Sequence, residues 1–293
     1  TSRFPRLSLV IPFRNASPTL RKALVSIQQQ TLRDYEVVLV DDCSSDDSHV
    51  IASEFPWKIM RNDRRIGPAA SRNVGVRSCK ANVVAFIDSD CAADEDFLAC
   101  IERGFAEHSD VGALVGNTRI PRSTFLGNCI SELGFPGGAN AGFQNVWHVS
   151  PEGYTNHISS CNFAVRREVL DKCGMFDESF PFPGGEDSEY SYRITRMGMK
   201  ILYCPGMIVW HEPRANLASF VRWQLLRGRA NYHFRRRVRR VSQFIVLRLW
   251  SSLNILRNNL RKPRIFVILV LLALSLFLQQ FGYLQERHRL GST

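Results

Sequence analysis

Two carboxylates, Asp88 and Asp90, stand one residue apart where an apolar run ends, in the segment Ile87-Asp88-Ser89-Asp90. In an extended chain, alternate side chains point to the same side, so both carboxylates share one side of the backbone. A hard divalent cation such as Mg²⁺ or Mn²⁺ binds one or two protein carboxylates together with phosphate oxygens of a substrate. The pair therefore predicts a metal and phosphate site, and the alternative is a solvated strand end or a helix cap.

A second acidic group, Glu186 and Asp187, follows two glycines and begins a helix predicted over 186–197. The helix dipole favours an ionised carboxylate in the first turn, where Asp187 is placed to act as a general base. The alternative is an acid that only caps the helix. His211 ends another apolar run and is either a metal ligand or a packed, hydrogen-bonded histidine.

These side chains need a scaffold that brings the ends of strands together. Strands are predicted at 7–11, 35–40, 57–60 and 83–87, and helices at 17–30, 46–54 and 69–79. Such alternation implies right-handed crossovers and a parallel, mostly buried sheet, whose ligands bind outside the carboxyl ends of the strands. Polar residues that follow three of the strands should converge on that edge: Arg14, Asn15, Asp41, Asp42, Asp88 and Asp90.

The middle of the chain carries weaker signals. Residues 117–157 show no clear period and are predicted to be long connections over the sheet edge, where substrate loops usually lie. A strand at 161–165 and a helix at 167–172 follow. The absence of G-x-G-x-x-G and G-x-x-x-x-G-K-[ST] segments argues against a dinucleotide site and a P-loop. The eight cysteines lack C-x-x-C spacing, as expected of reduced cytosolic thiols.

Five short motifs occur in order along the chain. They are Leu9-Val-Ile-Pro12 with Asn15, Val40-Asp-Asp-Cys-Ser44, Gly67-Pro-Ala-Ala-Ser-Arg-Asn-Val-Gly75, Phe86-Ile-Asp-Ser-Asp90 and Gly185-Glu-Asp187. In this order they resemble a family 2 glycosyltransferase with the GT-A fold, over roughly residues 6–232. The resemblance implies an α/β, Rossmann-like domain with a mostly parallel sheet and flanking helices. It also implies an inverting enzyme that moves a sugar from a nucleotide diphosphate donor, a UDP- or dTDP-sugar, to an acceptor hydroxyl.

The resemblance assigns most of the motif residues to the donor. Asp42, together with Asp41, would contact the base and ribose, and Arg72 would lie in the segment that packs beneath the donor. The full set of implied donor residues is Pro12, Arg14, Asp41, Asp42, Arg72, Asn73, Asp88 and Arg227.

The resemblance also implies a metal site and a base. Asp90 would be the more direct ligand of a Mn²⁺ or Mg²⁺ ion, with Asp88 beside it, and His211 matches a histidine that completes metal or diphosphate binding in many members. Asp187 would deprotonate the acceptor while Glu186 orients the acceptor. Inversion by single displacement needs one base and a cation that neutralises the departing diphosphate, and it needs no protein nucleophile.

The segment Gln224-Leu-Leu-Arg227-Gly228 resembles the Q-x-x-R-W segment of processive members, which contacts acceptor and diphosphate. Gly228 replaces the tryptophan, and this departure argues against a processive synthase. Arg227 is therefore a candidate for the diphosphate. The alternative is that Arg227 is one of many basic residues on a solvated or lipid-facing helix.

Charge divides the chain of 293 residues, whose formal net charge is +11. Residues 1–213 hold 22 basic and 26 acidic side chains, whereas residues 214–293 hold 16 basic side chains and one acidic side chain. We predict a transferase domain at 1–213, a basic amphipathic helical region at 214–262, a hydrophobic membrane segment at 263–284 that is spanning or re-entrant, and a polar tail at 285–293.

The hydrophobic run at 265–278 extends to about twenty residues, a length that crosses a bilayer as a helix. Basic clusters at 235–240 and 261–264 precede it, and the positive-inside rule assigns them to the cytoplasm. The N-terminus shows no signal-peptide pattern. We therefore expect the plasma (inner) membrane, with the catalytic domain on its cytoplasmic face, anionic lipids as partners and a lipid-linked or polysaccharide acceptor.

Two other functional classes share these features. A basic polyanion-binding protein would explain the charge, but no base-stacking motif accompanies the arginines, so nucleic acid is not an expected partner. A catalytically inactive GT-A-like membrane scaffold would be expected to lose the D-x-D or E-D acids, and this chain keeps both.

Overall fold

The computed structural model describes residues 5–238 and 241–291, which form a mixed β-sheet flanked by helices. The strands are β1 Leu7–Phe13, β2 Tyr35–Asp41, β3 Lys58–Arg61, β4 Val83–Ile87, β5 Cys91–Ala93, β6 Val111–Arg119, β7 Tyr154–Thr155, β8 Asn162–Arg166 and β9 Lys200–His211. The α-helices are α1 Leu20–Gln28, α2 Ser48–Ser53, α3 Pro68–Ser78, α4 Phe97–Glu107, α5 Phe125–Ser131, α6 Phe143–Val146, α7 Arg167–Cys173, α8 Glu186–Arg196, α9 Leu217–Arg237, α10 Val241–Asn259 and α11 Ile265–Gly291.

The strand order is β3-β2-β1-β4-β8-β6-β9-β5, and β7 also pairs with β9. Strands β3, β2, β1 and β4 are parallel, which confirms the predicted alternation of strands and helices. Beyond β4 the pattern changes, because β8 runs antiparallel to both β4 and β6, and β5 runs antiparallel to β9. The expected α/β sheet is therefore present, and it is mixed rather than mostly parallel.

Both faces of the sheet are covered, and β1 shows how the sequence achieves this. Leu9 and Ile11 pack into the core on one face, and Val10 packs into the core on the other, because neighbouring side chains of a strand alternate. Helix α3 approaches the second face closely at Gly75, where an added Cβ would lie 2.4 Å from a methyl carbon of Val10. A glycine at this position lets α3 and β1 pack directly.

Helix α1 begins later than the sequence indicates. The Ser17-Pro18 pair predicts a helix from residue 17, whereas α1 begins at Leu20. The carbonyl of Ala16 accepts hydrogen bonds from the backbone N–H groups of Thr19, at 3.0 Å, and Leu20, at 2.9 Å. Residues 16–19 therefore form a turn that precedes the helix, and the predicted start was wrong by about one turn.

The segment 117–157, predicted to be long connections, is more ordered than expected. It contains the end of β6, helices α5 and α6, a 3₁₀ turn at Ala139–Ala141 and β7. Residues of α5 pack with apolar residues of α9, α10 and α11 in one buried cluster. These contacts join segments that lie far apart along the chain, so no local period in the sequence reveals them.

The C-terminal helices form a layer in which α11 packs along α9. Close backbone contact occurs at Gly228 and Gly282, where an added Cβ would lie 2.2 Å from the Gln279 carbonyl and 2.3 Å from the Leu225 carbonyl. Helix α11 continues to Gly291, so the predicted polar tail at 285–293 is helical through residue 291. Of the predicted basic cluster at 235–240, residues 239 and 240 lie outside the described residues.

Candidate active site

One corner of the site joins Asp90 to His211 through the pairing of β5 with β9. Cys91 pairs with His211 in the antiparallel register, and the Glu212 N–H donates to the Asp90 carbonyl at 2.9 Å. The imidazole Nε2 of His211 lies 3.4 Å from Oδ2 of Asp90. Its Nδ1 lies 2.8 Å from the Glu212 carbonyl, and because a carbonyl can only accept, Nδ1 carries the proton. The Nε2 lone pair is therefore available to a metal.

This corner fits a divalent cation. Ligand atoms of Asp90, Cys91 and His211 all lie within 4.8 Å of one another. Burial raises the pKa of the Cys91 thiol well above its ordinary value, and a soft sulfur ligand suits Mg²⁺ or Mn²⁺ less well than oxygen or nitrogen does. The Asp90 side chain is 40% exposed, which leaves room for substrate oxygens. Carboxylate oxygen and imidazole nitrogen are thus the donors that this corner offers.

Asp88, the other predicted metal residue, binds Arg72. Its Oδ1 accepts a hydrogen bond from Nη2 of Arg72 at 2.7 Å, and it is not one of the three clustered ligands. Nη1 of Arg72 donates to Oε1 of Glu186 at 3.2 Å. The Arg72 side chain is only 3% exposed. Arg72 therefore links the D-x-D segment to the start of α8, and its buried position leaves little surface for a donor.

The carboxylates at the start of α8 occupy different environments. Glu186 is buried, and its Oε2 accepts a hydrogen bond from the Gly184 N–H at 2.6 Å. Burial and the neighbouring Asp187 raise the pKa of the Glu186 carboxyl to about 7, although Arg72 opposes the change. Glu186 thus supports the turn before α8 instead of presenting its carboxylate to an acceptor.

Asp187 is the carboxylate of this pair that is less buried. Its Oδ1 accepts a hydrogen bond from the Ser188 N–H at 2.7 Å. Burial raises the pKa of the Asp187 carboxyl, while the Ser188 N–H, Arg72 and Arg227 act to lower it. A carboxylate whose pKa moves toward neutrality is a stronger base at physiological pH. The environment of Asp187 is therefore suited to proton abstraction.

The two aspartates after β2 hold loops in place. The Asp41 side chain is fully buried, and Oδ1 accepts a hydrogen bond from the Ser44 N–H at 2.8 Å. Asp42 accepts hydrogen bonds from the backbone N–H groups of Ile66, at 2.8 Å, and Gly67, at 3.0 Å. The carboxylates thereby shape the loops that follow β2 and β3.

The remaining predicted donor residues differ in accessibility. Pro12 is buried within β1, whereas Arg14, just after that strand, is exposed. The Asn73 amide is fixed by the backbone of Phe176, since Nδ2 donates to its carbonyl at 2.8 Å and Oδ1 accepts from its N–H at 3.0 Å. Asn73 therefore anchors the segment before α8, and Arg14 is the exposed cation at the strand end.

Sequence reasoning missed two arginines that lie beside Arg227. The Arg227 guanidinium carbon is 3.9 Å from the centre of the Phe135 ring, and that of Arg248 is 4.7 Å from the same centre. The Arg214 guanidinium carbon lies 4.2 Å from the centre of the Trp223 ring. We call Arg214, Arg227 and Arg248 the arginine cluster. The lack of carboxylates over 214–285 is the sequence signal that could have pointed to it.

Comparisons with known proteins identify the family of this chain. The family model described as Glycosyl transferase family 2 matches residues 8–174. The glycosyltransferase AglE of Haloferax volcanii is 29% identical over 231 residues, which cover 73% of this chain and 69% of AglE. Chondroitin synthase of Escherichia coli is 27% identical over 237 residues, and this stretch covers 70% of the chain but only 34% of the synthase.

A solved structure supports the fold assignment. The mannosyltransferase PcManGT from Pyrobaculum calidifontis, in complex with GDP-Man and Mn²⁺, superposes with a TM-score of 0.59 at 18% identity. The superposition covers 98% of this chain and 84% of PcManGT. From the family match over more than half of the chain and from the shared sheet architecture, we conclude that this chain belongs to glycosyl transferase family 2 and has the GT-A fold.

Proposed function

We propose that this chain is a metal-dependent inverting glycosyltransferase that moves a sugar from a UDP- or dTDP-sugar to an acceptor hydroxyl. The observation that carries the proposal is the position of Arg72 between two acids. Its guanidinium donates hydrogen bonds to Asp88 of the D-x-D segment and to Glu186 of the E-D segment. One buried side chain thereby couples the metal end of the site to the end that holds Asp187.

Asp90 and His211 would hold a Mn²⁺ or Mg²⁺ ion, with Asp88 nearby in the same segment. When bound, such an ion neutralises negative charge on the departing diphosphate. Asp187 takes the proton from the acceptor hydroxyl, and its raised pKa supports that role. Glu186 acts through the position of Asp187, because its own carboxylate is bound to Gly184 and Arg72.

The nucleotide end of the donor would lie over the ends of β1 and β2. Arg14 is the exposed cation there, and Pro12 precedes it in the buried strand. Asp41 and Asp42 shape the adjoining loops through their hydrogen bonds to backbone N–H groups. We therefore assign Arg14 to direct contact with the donor and the two aspartates to the pocket that receives the base and ribose.

The C-terminal helices would hold the enzyme on the cytoplasmic face of the plasma membrane. Helix α11 is long and apolar enough to cross a membrane by length and composition, and about a third of its most apolar window is buried. Its outer face exposes large apolar side chains: Phe266, Leu269, Val270, Leu276, Phe277, Phe281 and Leu284. This face supports insertion among lipid chains, and nearby basic residues such as Arg261 support contact with anionic headgroups.

Helix α11 would lie on the membrane instead of crossing it. Polar contacts tie it to α9, since Gln224 accepts hydrogen bonds from Ser275 at 3.0 Å and Gln279 at 2.7 Å. Glu286 is buried and accepts a hydrogen bond from Arg229 at 2.8 Å. Helix α9 is rich in arginine. If α11 crossed the bilayer, the arginines of α9 bound along it would enter the bilayer as well. An interfacial position would also bring a lipid-linked or polysaccharide acceptor within reach.

Donor turnover tests the proposed function directly. Purified protein with Mn²⁺ or Mg²⁺ is incubated with a panel of nucleotide sugars, and released nucleotide diphosphate is measured with and without EDTA. We expect one donor to be hydrolysed or transferred in a metal-dependent reaction. Absence of metal-dependent release from every donor, with the protein folded, would favour an inactive scaffold or a polyanion-binding protein.

A further inference from the structure

The arginine cluster is a set of three cations without acidic partners. Within residues 5–238 and 241–291, none of the three guanidiniums forms an ion pair or a hydrogen bond with a carboxylate. Each instead lies over an aromatic ring of Phe135 or Trp223. Nη1 of Arg227 is buried and has no hydrogen-bond partner among the described residues.

Such an arrangement is electrostatically unfavourable when the protein is alone. Burial and the positive charges of Arg248 and Arg214 lower the pKa of the Arg227 guanidinium well below its ordinary value, and Asp187 only partly opposes them. Burial lowers the pKa of the Arg248 guanidinium to about 10. Charges removed from water are normally paired, so three neighbouring, partly buried cations, one of which has a buried and unsatisfied N–H group, indicate that an anion belongs between them.

The chemistry of the cluster favours a phosphate. Guanidinium groups bind phosphate through paired N–H donors, and aromatic faces hold these planar groups in position. Three positive charges match a phosphate or a diphosphate better than the single charge of a carboxylate. The aromatic rings leave the N–H edges as the binding atoms, and the buried, unpaired Nη1 of Arg227 is such an atom.

The position of the cluster separates this phosphate from that of the donor. The donor diphosphate belongs with the metal corner at Asp90 and His211. Within the cluster, Arg214 interacts electrostatically with Asp90. Arg227 interacts electrostatically with Asp187, the candidate base. Arg248 comes from α10, whose neighbouring residues Ile245, Val246 and Leu249 are exposed apolar side chains. The cluster thus extends from the base toward the exposed apolar side chains of α10, which we assign to the membrane together with the outer face of α11.

We propose that the arginine cluster binds the phosphate or diphosphate of a membrane-borne acceptor and so positions the acceptor hydroxyl at Asp187. This inference rests on the proposed glycosyltransferase function. It moves Arg227 from the donor to the acceptor, and it adds Arg214 and Arg248 as residues that select for a phosphorylated lipid. An acceptor without phosphate would leave the three cations unmatched.

The test compares Arg248→Gln with Arg257→Gln. Both variants remove one positive charge from α10, but Arg257 is exposed and lies outside the cluster. Binding is measured by co-flotation in EDTA with phosphatidylcholine vesicles that contain either a long-chain prenyl phosphate or phosphatidylglycerol. Inorganic pyrophosphate in EDTA serves as a competitor that lacks a lipid chain. Nucleotide binding with Mn²⁺ is measured in parallel as a readout of the donor site.

We expect Arg248→Gln to weaken binding to prenyl-phosphate vesicles by about tenfold or more, the loss typical of one charge-assisted hydrogen bond. Binding to phosphatidylglycerol vesicles and Mn²⁺-dependent nucleotide binding should remain unchanged, and Arg257→Gln should resemble the wild type. Pyrophosphate should compete for the prenyl phosphate, which shows that the phosphate group is recognised. Arg214→Gln should act in the same direction and serves as a second variant if Arg248→Gln does not fold.

Three results would overturn the inference. Equal losses in Arg248→Gln and Arg257→Gln would mean that general surface charge is responsible. An unchanged affinity of both cluster variants for prenyl phosphate would remove the site. An equal loss of Mn²⁺-dependent nucleotide binding would assign the cluster to the donor. Because these assays require no turnover, they are independent of whether the chain transfers a sugar.

Discussion

The pKa of Glu186 makes the stability of this protein depend on pH in a way that a single substitution should remove. Burial and Asp187 raise the pKa of this carboxyl from its ordinary 4.5 to about 7 in the folded protein. The protonated form is therefore favoured by folding. The stabilisation is fully present below pH 4.5, declines as the pH rises, and is lost above about pH 7.

The size of the effect follows from the pKa change. One pKa unit corresponds to about 1.4 kcal/mol, so the contribution of Glu186 to the free energy of unfolding should fall by about 3 kcal/mol between pH 4.5 and pH 7. At roughly 2–4 °C per kcal/mol for a domain of this size class, the change amounts to about 6–12 °C in melting temperature. Glu186→Gln removes the titrating group and therefore removes this pH-dependent contribution to the free energy of unfolding.

The assay is thermal unfolding of the wild type and Glu186→Gln at several pH values from 4.5 to 7.5. We expect the melting temperature of the variant, relative to the wild type, to rise steadily over that interval. Glu168→Gln is the control, because Glu168 is an exposed acid that pairs with Lys172 within α7. If the difference between Glu186→Gln and the wild type stayed constant with pH, the coupling of Glu186 to burial and Asp187 would be refuted.

Two further changes test the metal corner and the helix layer. His211→Asn should weaken Mn²⁺-dependent nucleotide binding by at least about tenfold, as measured by calorimetry. Glu212→Gln is the control and should not weaken binding, since it keeps the backbone carbonyl that fixes the His211 ring. Equal affinity in the two variants would exclude His211 as a ligand. Gly282→Ala places a Cβ about 2.3 Å from a carbonyl of α9 and should cost about 1–3 kcal/mol in thermal or urea unfolding. Gly291→Ala, which has open space, should be neutral, and similar stability of the two glycine variants would contradict the tight contact between α9 and α11.

The parallel half of the sheet follows from the sequence alone. Apolar runs such as the one at 7–11 alternate with helical segments, and the polar residues after them mark the carboxyl ends of the strands. The same local rule identifies α8, because two glycines and the acids Glu186 and Asp187 mark its start. These signals are local, so a single sequence contains them.

The remainder depends on contacts between distant segments. Strand β6 is held by pairing with β8 and β9, and helices α5 and α6 pack against the C-terminal helices. No local pattern in the sequence predicts these contacts. For the same reason, the hydrogen bonds that commit Asp88 to Arg72 and fix Asn73 on Phe176 are visible only in three dimensions. Arg248 lies outside every motif, so its position beside Arg227 could not be predicted.

The most direct test of the proposed reaction is the turnover of Asp187→Asn with saturating donor and metal. Loss of a general base typically lowers the rate by about 10²–10⁴-fold. We expect a loss of that size, with donor and Mn²⁺ binding unchanged. Ser188→Ala is the matched control, since it keeps the backbone N–H that binds the Asp187 carboxylate. Sugar transfer at the wild-type rate by Asp187→Asn would contradict the assignment of Asp187 as the base.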